Sequence, residues 1–463
     1  MSDGEYQERT PADGERDEIL GAALRRLEVP AHRPGFHPGL RASLSTASPG
    51  QDAPDRHRQG GSGGARRRGW VRHPLRWTVG LAAAAVLALA LVIASLPGTT
   101  HRIANAAEVR AAVARAWASV RGIAGVLTVD YTNARTASQQ DQKWRFLLTA
   151  RGDFRLTGLD HPGAVTYDAR SDIERSLSTS ASMPGSTELF ASQLSGLAPG
   201  PPDPGPSTAL LDRMLGSVVR ALAGSPGGQV REVTYHSRPA WLLDTKVPAS
   251  AALFPDHLQV TVDRQTGLPV RVLAARDGHT LYETRIDKLT VNPPIPEHAF
   301  TLRFPPGKHV SYTDFGFHRV ALNDAGRITG YAPVIPASIP RGYRLSGVMV
   351  AKRPSPTGTN PRVGNVISLS YRHGLDQFIL TTRPVGANPA AWHDPLDTGE
   401  GNFKAPQRVT FSSGVLAGRQ GYLVTDSFAM PHVWALTGTL VVTISGDLNR
   451  AQLMQAANSL RSN

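Results

Sequence analysis

The twenty residues from Trp77 to Leu96, WTVGLAAAAVLALALVIASL, carry no charge, and they constrain the chain more than any other stretch. At about 1.5 Å of rise per residue, a helix of this length reaches about 30 Å, the thickness of a bilayer's hydrocarbon core. A helix packed in a protein core would carry polar positions on one face, and a cleavable signal would sit at the extreme N-terminus. This run does neither, so it predicts a permanent transmembrane helix over 77–96. The flanks set its direction. Arg66, Arg67, Arg68, Arg72 and Arg76 make a basic juxtamembrane segment, 66–76, free of acids, whereas Arg102 alone stands close on the far side. Positive-inside asymmetry then expects the N-terminus in the cytoplasm and everything after about Pro97 outside the cytoplasmic membrane.

That topology decides what the remaining residues can do. The chain has 463 residues and no cysteine, which excludes disulfides, thiol catalysis, cysteine zinc sites and lipid attachment at a cysteine. Residues 1–76 hold thirteen Lys+Arg against ten Asp+Glu, so about ten of the thirteen net positive charges fall on the rest. The excess is scattered and follows no nucleic-acid-binding motif, which argues against a nucleic acid partner. It suits an anionic lipid surface, an acidic partner or an arginine-rich compositional background.

Residues 1–65 read as a mostly disordered cytoplasmic tail. The segment RPGFHPGLRASLSTASPGQDAPDRHRQGGSGG buries too little apolar surface to fold. One short helix is expected at 16–28, with acids before Ile19, Leu20 and Leu24, Arg25 and Arg26 behind them, and a stop at Pro30. Beyond the anchor, NAAEVRAAVARAWASVRG repeats Val109, Val113 and Trp117 at helical spacing and predicts a helix closed by Gly122. Alternating, β-branched segments follow, with turn signals at Gly152-Asp153, Pro162-Gly163, Gln265-Thr266-Gly267 and Asp277-Gly278. A second amphipathic helix is expected over 208–224. Residues 103–304 therefore predict a long antiparallel sheet with covering helices. Residues 305–330 read as a linker, and 331–463 as a small α+β domain of four or five strands with a last helix capped by Asp447.

Two stretches carry a family likeness. VTVDRQTGLPVRVLAARDGHTLYETRIDKLTVNPPIPEHAFTL resembles the closing strands of the LolA/RseB-like superfamily, through Asp263, Thr266, Gly267, Leu268, Pro269, Asn292, Pro294, Ile295, Pro296 and Phe300. PASIPRGYRLSGV, with HVWALTGTLVVTISGDLNRAQLMQAANSL, is similar to a small domain found after such modules in membrane-bound, sigma-factor-linked proteins; Pro340, Gly342, Tyr343, Trp434, Ile444, Gly446 and Leu448 carry that likeness. Together the two cover about 103–302 and 318–463. The resemblance implies a curved, half-closed antiparallel sheet with helices in its mouth, enclosing an apolar cavity for acyl chains. It also implies a second domain and a role in regulating an anti-sigma factor. Members of that superfamily are typically soluble and periplasmic, whereas this chain carries its own anchor and tail. The tail has no cysteine, so it lacks the paired cysteines of zinc anti-sigma domains.

No hydrolase, metalloprotease, phosphate-loop or kinase motif occurs, and the histidines are dispersed. No enzyme activity, metal site or cofactor is expected. The tripeptide Arg151-Gly152-Asp153 matches a cell-adhesion signal, but its context reads first as a strand–turn–strand corner. If a ligand cavity exists, Trp117, Trp144, Phe146, Phe154 and Trp241 are its candidate lining. The leading expectation is a single-pass sensor of lipid or acylated peptide in an envelope-stress pathway. The alternatives are a tethered lipoprotein or lipid carrier, and an interaction module without a ligand.

Overall fold

Asn105 starts the first helix, α1 (Ala106–Ser119), of a computed structural model that describes residues 104–132, 139–160, 162–179, 189–197, 215–225, 227–247, 254–352, 364–386, 389–396, 406–426, 428 and 430–463. The expected helices 16–28 and 77–96 and the basic segment 66–76 lie outside the described residues. Among the described residues no helix is long and apolar enough to cross a membrane. The Asn105 side chain accepts from the Glu108 amide at 2.9 Å, and the Glu108 carboxylate accepts from the Asn105 amide, a reciprocal cap on two otherwise orphaned donors. Val109, Val113 and Trp117 form the buried stripe of α1. The helix ends at Ser119, earlier than the glycine signal implied. Val120 is already extended, and Gly122 opens the first strand instead of closing the helix.

The first sheet is built from β1 (Gly122–Thr132), β2 (Gln139–Thr149), β3 (Phe154–Gly158), β4 (Ala164–Asp168), β5 (Ile173–Thr179), β6 (Leu189–Ser195), β7 (Gln229–Tyr235), β8 (Arg238–Lys246), β9 (His257–Asp263), β10 (Pro269–Arg276), β11 (His279–Val291) and β12 (Val310–Asp314). Its spatial order is β12-β6-β5-β4-β3-β2-β1-β11-β10-β9-β8-β7. Consecutive strands pair antiparallel in two meanders, and β1 joins them through its pairing with β11. Helix α2 (Ser217–Gly224) falls between the meanders, covering the last part of the expected 208–224 helix. The Asp277-Gly278 turn between β10 and β11 has positive φ at both residues (49° and 79°), the backbone a two-residue hairpin needs.

The second sheet comprises β13 (Phe317–Arg319), β15 (Arg344–Ala351), β16 (Val366–His373), β17 (Asp376–Pro384), β18 (Gln407–Thr410), β19 (Gln420–Val424), β20 (His432–Leu436) and β21 (Leu440–Gly446), in the order β13-β15-β16-β17-β21-β20-β19-β18. Two helices, α3 (Leu322–Thr329) and α4 (Arg450–Asn458), accompany it, and β14 (Val334–Pro336) pairs with β22 (Leu460–Ser462). Among the described residues nine strands, β14 to β22, stand in 331–463 where four or five were expected, and three of them, β14, β18 and β22, are too short to show a periodicity. The connection 305–330 is itself structured: β12 adds to the first sheet as a parallel edge strand beside β6, β13 adds to the second, and α3 follows.

One expectation fails in an informative way. The cap of α4 is Asn449, whose side chain accepts from the Gln452 amide at 3.0 Å while Gln452 accepts from the Asn449 amide at 2.9 Å. Asp447 is thereby released from capping and faces the other domain.

Candidate functional site

The five cavity candidates come together. Trp117 from α1, Phe146 from β2 and Phe154 from β3 are buried in one apolar core with Val113, Leu156 and Leu258, and Trp144 and Trp241 pack at its margin. Residues 144 and 146 project to one face of β2 by the two-residue period of a strand. Phe146 is only 1% exposed. Phe154 stacks on Tyr167 at 5.8 Å between ring centres, and Arg264 lies over the Trp241 ring at 5.5 Å. Among the described residues these rings pack against protein neighbours.

The family turn text resolves into physical parts. Asp263 closes β9 with its carboxylate buried, accepting from the Thr266 amide (2.8 Å), the Thr266 hydroxyl (2.9 Å) and the guanidinium of Arg238 (3.0 Å). Gly267 has φ +71°, and a Cβ there would lie 3.1 Å from the Ala116 side chain of α1, so glycine lets the turn seat on the helix. Leu268 is buried in the core behind that turn, and Pro269 opens β10. Pro294 and Pro296 lie exposed beyond β11, where no strand partner needs their missing amides. The Arg151-Gly152-Asp153 corner also points inward. Asp153 is buried, accepting from Thr149 Oγ1 at 2.8 Å, from Arg151 Nε at 2.7 Å and from the Ala169 amide at 2.9 Å.

Two features join the domains, and the sequence reading found neither. The first is an ion pair: Arg220 on α2 meets Asp447 at 2.6 Å, the side chains being 7% and 16% exposed. The other Asp447 oxygen accepts from the Gln377 amide at 2.7 Å, and the Tyr343 hydroxyl donates to the Asp447 carbonyl at 2.7 Å. Burial, with the Asp447 charge beside it, holds the Asp376 carboxyl well above the usual carboxylate range. The Leu375 amide donates to the Trp117 carbonyl at 3.1 Å, so the turn between β16 and β17 rests on the C-terminal end of α1. The available signal was Arg220 itself, a lone cation among the Val, Ala and Leu of SVVRALAG.

The second feature is a cleft of about 460 Å³ where the β2–β3 corner and the end of β4 meet β13, β15 and β16. Arg151, Arg170, Arg319, Arg344 and Arg372 line it, along with Tyr167. The Tyr167 hydroxyl donates to Asp172 at 2.8 Å, and burial lifts the Asp172 carboxyl to about 7. Among the described residues no group of three His, Asp or Glu side chains could hold a metal ion.

No protein-family model matches the chain, and no curated protein does. Among solved structures it is similar to Pseudomonas aeruginosa MucB in the MucA/MucB complex, at 15% identity over 77% of this chain and 99% of that one, with a TM-score of 0.27. It is similar to a LolA superfamily protein from Nitrosomonas europaea at 8% identity, over 43% and 98% of the two chains, with a TM-score of 0.20. LprF from Mycobacterium bovis gives 14% identity over 41% and 94%, with a TM-score of 0.26. The architecture is a long antiparallel sheet with helices followed by a smaller α+β unit.

Proposed function

We propose that the chain is a single-pass membrane protein whose exported part is a two-domain binding module, serving a sigma-factor or anti-sigma pathway that watches the cell envelope. The observation that carries this reading is the buried Arg220–Asp447 pair, which couples a helix of the first domain to the second domain. A lipid, acylated peptide or protein partner that shifts α1 or α2 against the first sheet also shifts the groups on which the second domain rests. The anchor 77–96 holds the module outside the cytoplasm, and the tail helix 16–28 passes the change to a cytoplasmic partner. A single helix cannot carry a small displacement across a bilayer by itself, so transmission runs through that partner or through self-association. The LolA/RseB-like turn text supports the choice of ligand class, as a resemblance of fold.

The test is transcription. Deleting residues 1–65 while keeping 66–463 is expected to uncouple the responding genes from envelope stress. An unchanged response would remove the transmitter role. If the exported domains also worked on an unrelated anchor, the chain would be a tethered carrier.

A further inference from the structure

The arginine cleft has an unusual charge arrangement. Arg344 on β15 and Arg372 on β16 are directly paired across the strands, so two guanidiniums project from one face of the sheet at neighbouring positions. Like charges placed opposite one another are destabilising. Among the described residues none of Arg170, Arg319, Arg344 and Arg372 has a carboxylate at salt-bridge distance; only Arg151 is so paired, with Asp153. The nearby acids have closer partners, Asp172 accepting from Tyr167, Asp153 paired with Arg151 and Asp447 with Arg220, though Asp172 still attracts Arg319, and Asp153 and Asp447 attract Arg372. The geometry fixes the cations in place. Arg319 donates to the carbonyls of Ser346 and Ala169 at 3.2 Å each, and so spans the two domains. Arg372 passes over Gly152, where any Cβ would collide with its guanidinium. A β-bulge between Leu345 and Gly347 sits beside Arg344. Burial lowers the Arg372 pKa to about 10, against the opposing pull of Tyr167, Asp153 and Asp447.

We propose that this cleft binds a doubly charged oxyanion of the phosphate class, held by guanidiniums from both domains. Guanidinium groups pair bidentately with phosphate, and several unpaired ones call for more charge than a single carboxylate brings. The Tyr167 and Ser346 hydroxyls on the same lining already donate, to Asp172 and to the Ser370 carbonyl, which leaves the guanidiniums as the donors for an anion. The group can arrive as free phosphate or as the phosphomonoester of a lipid headgroup. The inference does not depend on the sigma-factor reading.

The experiment is titration calorimetry on the full chain in detergent micelles, with inorganic phosphate and with the short-chain lipid dihexanoyl phosphatidic acid, against chloride at matched ionic strength. Arg170 and Arg344 are exposed, so replacing both (Arg170→Gln with Arg344→Gln) leaves the core untouched, and a melting curve verifies the fold. We expect phosphate to bind and the double variant to lose at least tenfold in affinity. Equal binding of both probes identifies the phosphate group alone as the ligand; tighter binding of phosphatidic acid identifies the headgroup as its source. Binding no stronger than that of chloride, or unchanged affinity in the folded double variant, overturns the proposal.

Discussion

Replacing Arg220 by alanine strips a buried carboxylate of its counter-ion. Breaking a buried pair by removing one partner costs about 3–5 kcal/mol, because the remaining charge stays desolvated. Asp447 is 16% exposed and keeps the Gln377 amide at 2.7 Å, so the cost belongs at the lower end, about 3 kcal/mol. The loss acts on the seam between domains more than on either core, since α2 keeps its apolar contacts through Val218 and Leu222. At about 1.4 kcal/mol per factor of ten, domain opening should become roughly a hundredfold more frequent. Two amides report it: Leu375, bonded to the Trp117 carbonyl, and Gln377, bonded to Asp447 itself. Native-state hydrogen exchange on the full chain should show the Leu375 amide exchanging about a hundredfold faster, with core amides of β9 and β10 little changed. Arg220→Met keeps most of the side-chain volume and separates charge from packing; it should show the same acceleration. Exchange at Leu375 within threefold of the unaltered chain, in variants that remain folded, would refute the claim that this pair couples the domains.

Asp263→Ala should destabilise the first domain by about 2–3 kcal/mol, because it orphans the Thr266 amide and leaves Arg238 without its buried partner. Urea titration checks it, and a loss below about 0.5 kcal/mol would deny the carboxylate its role in the turn. Stability should also depend on pH through Asp172 and Glu174, both lifted by burial to about 7. The folded state then holds protons that the unfolded chain has released, so the contribution of these two groups falls as pH rises from the ordinary carboxylate range to about 7, and that of Asp376 goes on falling to about 8. The melting temperature should drop between pH 5 and pH 8, and drop less in Asp172→Asn, which keeps an acceptor for Tyr167 and tolerates the φ of +55° at that position. An identical pH profile in that variant would show that Asp172 does not titrate in this range.

The parts of this fold that could be read from sequence are those decided over a few residues. The stripe of Val109, Val113 and Trp117, the Gly267 turn and the Asp277-Gly278 hairpin follow from local spacing and from backbone that glycine or aspartate accepts. Gly122 was ambiguous because glycine ends helices and also begins strands; the extended Val120 decided it. Asp447 was misread for a similar reason. Both Asp447 and Asn449 are good caps, and the reciprocal bond to Gln452 selects the asparagine. What the sequence could not show is the joining of distant segments. Arg151, Arg170, Arg319, Arg344 and Arg372 come from separate turns and strands of two sheets, and only the domain packing gathers them. The aromatic residues offered as cavity lining meet in or beside one packed core, and no local pattern distinguishes a cavity wall from packed interior.

The most direct test of the binding-module account is native mass spectrometry of residues 105–463, prepared from the cells that make the protein and kept free of detergent. The account predicts an added mass of lipid or acylated-peptide size that is lost on collisional activation. Repeated preparations carrying only the bare protein mass would contradict it.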